Sequence, residues 1–160
     1  MGANSIIGLT RGISYLLKLG TIVSSLGFMG AVLIQIAARF LLSSAPSWTE
    51  EASRFFFLYA MSFAAGLAFR GNYYVQLDLF YNRMSAKARR VVDLCVYVAI
   101  ILLFLALGIY AIPFITQGIP EHSPSLGVSM SVAFSSMVLM AVAMMFFAVL
   151  RLLGALKRKP

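Results

Sequence analysis

Hydrophobic positions fall into four long runs separated by short polar stretches: about 19–42, 48–70, 91–114 and 128–150. A helix needs roughly twenty apolar residues to cross ~30 Å of hydrocarbon. The first, third and fourth runs meet that length without help. The second does not. Its apolar core, Phe55 to Phe69, crosses only if Trp48 to Arg70 is counted, with charges at both ends. Charges so close to the bilayer are costly in lipid, so this helix is expected to pack against protein. The expected fold class is therefore all-α: a membrane protein of four transmembrane helices plus short interfacial amphipathic helices. It forms a single domain over 1–160.

The flanks carry their own periodicity. Over 4–18, Ile6, Leu9, Ile13, Leu16 and Leu17 share one helical face, and Arg11, Ser14 and Lys18 share the other. This is either a basic amphipathic helix lying on the lipid bilayer or the start of the first span. Ser43-Ser44-Ala45-Pro46 breaks the chain before the second run. Ser47-Trp48-Thr49-Glu50 has the spacing of a capping box. Leu77, Phe80, Tyr81 and Met84 form a stripe that reads as a short interfacial helix. Ser85 is placed to cap the third long helix, and Pro113 is tolerated near the end of that helix.

Composition narrows the functional classes. Hydrophobic residues make up 61% of the 160 and charged residues 11%, too little charge for a soluble domain. The net charge of +8 would suggest nucleic acid in a soluble chain, but here it follows from membrane orientation, and no nucleic-acid partner is expected. Of the 13 Lys and Arg, Arg39 and Arg54 lie on one side of the four-span arrangement, and the rest, from Arg11 to Lys159, lie on the other. By the positive-inside rule both termini are cytoplasmic and the loop 120–125 is periplasmic, in a multi-pass bacterial inner-membrane protein. The first apolar run is too long, and too far from the start, for a cleaved signal.

Chemistry-bearing residues are sparse. Cys95 is the one cysteine, which excludes an internal disulfide and a paired-thiol redox site. His122 is the one histidine; beside Glu121 in a Pro-rich loop, it does not make a metal or haem site. Spans one, three and four have no ionisable group near their centres, and where a proton-coupled exporter would need a buried carboxylate span one has only Gln35. No nucleophile–base pair and no phosphate-cradling glycine loop is present. No enzyme activity, cofactor, metal or transported-substrate site is expected.

The remaining signal is structural or intermolecular. Arg54 follows Glu50 by four residues and Glu51 by three, so it shares their face, and Arg39 can reach either carboxylate from the end of span one. Trp48 suits an interface. Arg70 and Asp78 mark the opposite edge. Ala60, Ala64 and Ala68, with Gly66 beside them, form a small-residue stripe that admits another helix closely. These eleven residues are the candidates for fixing helix ends or meeting a partner subunit.

Trp48-x-Glu50-Glu51-x-x-Arg54, then Gly66, then Arg70-Gly71 and Asp78, resembles the small membrane subunit of tripartite ATP-independent periplasmic (TRAP) transporters, the DctQ-type permease. Ser123-Pro124-Ser125-Leu126-Gly127 before span four is similar to that family too, and the likeness extends over nearly the whole chain. Two positions depart from the pattern: Tyr74, where the family often has His, and Ser129, near which it often has Pro. The resemblance implies a sodium-driven transporter of organic acids. In it a large membrane subunit carries the solute and a periplasmic substrate-binding protein captures it. The small subunit packs against the large one as scaffold and helps form the docking surface. An autonomous four-span exporter or a membrane redox protein is the alternative reading.

Overall fold

The computed structural model describes residues 3–41, 46–71 and 84–157. Four helices account for nearly all of them: α1 (Ala3–Leu41), α2 (Ser47–Gly71), α3 (Ala86–Gly118) and α4 (Met130–Lys157). All four are long and apolar enough to cross a membrane. The stripe around Leu77 to Met84 lies almost wholly outside the described residues, as do Tyr73, Tyr74 and Asp78.

α1 is uninterrupted for 39 residues, so the amphipathic stretch and the first span are one helix. At about 1.5 Å per residue its contour, ~58 Å, is close to twice the hydrocarbon thickness. α3 begins where Ser85, in extended conformation, accepts a hydrogen bond from the Ala88 amide. It carries Pro113 inside its last two turns. α1 and α3 run from the end of the molecule that holds the C-terminal turn of α4 (the tail end) toward the end that holds residues 119–129 (the loop end). α2 and α4 run back.

The helices pack in the order α1, α2, α4, α3. Between α1 and α2 the fit is aromatic-into-glycine. Phe63 and Phe56, one heptad apart, lie against Gly20 and Gly27, also one heptad apart, so closely that a Cβ at either glycine would stand within 2.8 Å of a ring. Phe28 and Phe57 add a tilted pair at 5.6 Å. Between α2 and α4 the closest approach is at Gly66, where a Cβ would meet the Ala143 methyl at 2.9 Å and Leu17 at 3.3 Å. The core lies toward the tail end, built from Leu17, Phe69, Ala143, Met144, Phe147 and Ala148. Tyr97 of α3 closes it, edge-on to Phe69. α3 and α4 approach through small residues, with Ala111 and Ala141 fully buried. In a bilayer, where lipid is as apolar as Leu, close approach of small residues takes over the role that hydrophobic burial has in water. The outward faces of α1 and α3 are correspondingly large and apolar, with Leu26, Leu33, Leu102, Leu103 and Tyr110 exposed.

Hydroxyls inside the helices are satisfied locally. Ser14, Thr21 and Ser62 each donate to the carbonyl four residues back, and Ser136 donates to the carbonyl of Ala133. Tyr59 crosses between helices: its hydroxyl lies 2.8 Å from the Val132 carbonyl and 2.7 Å from Ser135 Oγ.

Candidate functional site: a carboxylate clasp at the loop end

The first turn of α2 and the loop before α4 meet at the loop end. At the helix start Thr49 is fully buried, and its amide and hydroxyl both donate to the Pro46 carbonyl. Glu50 turns forward rather than back to the cap: its Oε1 lies 3.3 Å from Arg54. Both side chains of that pair are about two-thirds exposed (66% and 64%). One position along, Glu51 is half-buried and points a different way. It accepts from the Ser123 hydroxyl, from the Ser125 amide at 3.1 and 3.2 Å, and from the Leu126 amide at 3.0 Å.

The loop is shaped to present those donors. His122 and Ser129 form an antiparallel bridge, the Ser123 amide donates to Val128, and the Gly127 amide returns to Ser123. Gly127 sits at φ +66°, a left-handed conformation that an L side chain seldom adopts. That turn aims the amides of Ser125 and Leu126 at one point, which Glu51 occupies. A carboxylate accepting two backbone amides and a hydroxyl forms charge-assisted bonds, the stronger class of hydrogen bond. Ser129 ties the loop to its other neighbour. Its hydroxyl lies 2.8 Å from the Gly118 carbonyl at the end of α3, and it accepts from the Ser131 amide at the start of α4. A proline there would lack this side-chain link.

Between α2 and α4, reaching the clasp, lies an open cavity of about 320 Å³, walled by Phe55, Leu58, Met130, Ala133, Phe134 and Met137. Glu51, Arg54 and Ser123 also line it, but Glu51 is engaged by the loop and Arg54 by Glu50. Its volume is at the lower end for small-ligand sites, and its walls suit an apolar group. Among the described residues no cluster of three metal-ligating side chains occurs.

The sequence-predicted candidates separate into those that this geometry gathers and those that it does not. Arg54 does not bridge both glutamates; it pairs with Glu50 alone, because Glu51 is drawn to stronger partners in the loop. Arg39 is exposed and, among the described residues, forms no ion pair with Glu50 or Glu51. Trp48 is 43% exposed at the helix edge. Ala60, Ala64 and Ala68 are half-buried, whereas the deeply packed positions of α2 are Ser62, Gly66 and Phe69. Arg70 is exposed, and its backbone carbonyl accepts from Arg151 at 2.7 Å. Asp78 lies outside the described residues. The sequence reading missed the role of Ser123 and Leu126 as partners of Glu51. A signal existed: both signature stretches fall at the same membrane face once four spans are counted.

Four apolar helices, a pinned extramembrane loop and hydroxyls satisfied within the helices define a multi-pass membrane protein. Its family follows from sequence comparison. Residues 28–158 match the family described as tripartite ATP-independent periplasmic transporters, DctQ component, and the chain belongs to it. It is also 27% identical, over 143 residues, to a Haemophilus influenzae protein named as a TRAP transporter small permease protein. That alignment covers 86% of this chain and 81% of the relative. The chain is thus a transporter component, in a family described as one part of a tripartite assembly.

Proposed function

We propose that this chain is the small membrane subunit of a sodium-driven TRAP transporter for organic acids. It packs against the large transport subunit as scaffold and helps dock the periplasmic substrate-binding protein. It resides in the bacterial inner membrane with both termini in the cytoplasm. Family membership supports the subunit role, and the distribution of Lys and Arg supports the orientation. The observation that carries the docking role is the clasp. Glu51 holds loop 123–126 in one conformation on the face that has few cations, and a pre-ordered surface binds a partner at lower entropic cost than a mobile one.

The test is a reconstituted three-component system. Tagged chain, extracted in mild detergent, should bring down a much larger membrane protein. Alone in liposomes with a sodium gradient, it should take up no organic acid. With its partners present, Glu51→Ala should lower uptake by weakening the response to the binding protein, while the membrane subunits remain associated. Sodium-dependent uptake by the chain alone would replace this reading with an autonomous transporter.

A further inference from the structure

The tail end carries an arrangement that membrane orientation does not explain. Arg151 of α4 donates to the Arg70 carbonyl at 2.7 Å, and Arg90 of α3 donates to the Ala155 carbonyl at 3.3 Å. Both acceptors lie in the last turn of a helix, where carbonyls have no intrahelical partner. The guanidinia are thus fastened to helix C-termini by the negative end of the macrodipole. Each guanidinium has five N–H donors, and one such bond leaves most of them available. Neither Arg90 nor Arg151 has a carboxylate partner among the described residues. The Arg70 side chain is exposed at the same end of the molecule.

Depth is the second observation. Arg90 immediately precedes the apolar run that starts at Val91, and Arg151 immediately follows the one that ends at Leu150. Both guanidinia therefore sit at the boundary between hydrocarbon and headgroups, where lipid phosphates lie. A positive-inside bias accounts for cations on this side. It does not account for two of them from different helices being fixed to backbone carbonyls with donors to spare. We infer that Arg90 and Arg151, with Arg70 at the same end, bind the phosphate of an anionic phospholipid. The planar fork of Arg matches phosphate oxygens in pairs, and basic pockets between transmembrane helices bind such headgroups.

The full-length chain would be presented with phosphatidylglycerol and phosphatidylcholine of identical acyl chains, and retained lipid read by native mass spectrometry. Wild type should retain phosphatidylglycerol preferentially. R90Q/R151Q should lose about tenfold of that preference, R90K/R151K should keep part of it, and R39Q, at the other end of the molecule, should match wild type. Millimolar glycerol phosphate should not displace the lipid. Equal retention of the two lipids by wild type would overturn the inference without reference to any variant. Wild-type preference in R90Q/R151Q would overturn it too, as would displacement by soluble glycerol phosphate, which would mark a free-anion site instead.

Discussion

At the scale of single residues, two adjacent glutamates have opposite fates. Glu50 forms an exposed pair with Arg54, and exposed pairs contribute about 0–1 kcal/mol. Glu51 organises a loop. Arg54→Ala should therefore leave thermal unfolding in detergent nearly unchanged, whereas Glu51→Ala should release the Ser125 and Leu126 amides. Hydrogen exchange resolved by residue checks this: both amides should exchange faster in the Glu51 variant and at the wild-type rate in the Arg54 variant. The difference between the glutamates was not legible in the sequence. Spacing of three and four residues to Arg54 fits both carboxylates equally, and the decisive donors are backbone amides 74 and 75 residues away. Backbone donors leave no residue-type signature. Only the turn that aims them does, through the glycine at 127.

At the scale of elements, hydrophobic runs located the four helices because lipid forces every backbone amide to be satisfied within the segment. Which helix faces touch was less legible. The alanine stripe of α2 and its Gly66 are both small-residue signals, and only the partner helix decides between them. Gly66 is the point of contact because Ala143 stands opposite. Gly66→Ala should therefore destabilise by about 1–3 kcal/mol through overpacking, less whatever the helix gains from replacing glycine, up to ~1 kcal/mol. Ala143→Gly in the same chain should recover part of the loss, since it removes the methyl that the new side chain would strike. Ala143→Gly alone should destabilise, since glycine is a poorer helix former than alanine, so only the pair should show compensation. Thermal denaturation of the three purified variants in one detergent measures the coupling.

At the scale of the whole molecule, orientation is the property to establish first. Ser123 would be a poor place to probe it, since it is buried under Glu51. His122 is exposed on the same loop. In a Cys95→Ala background, His122→Cys should react with an impermeant thiol reagent in intact cells; protection there would reverse the orientation. The packing order carries a separate consequence. α1 is held through α2, and α3 chiefly through α4, so the molecule consists of two helical hairpins joined along the α2–α4 seam. That seam is fastened at three heights: the Glu51 clasp at the loop end, Tyr59 and Gly66 within the membrane, and Arg151 on the α2 terminus at the tail end. A seam with its own fasteners does not depend on the peptide link that joins the hairpins. The gene could accordingly be divided between the codons for Gly71 and Met84, and the two products, made together, should find each other in the membrane and purify as one.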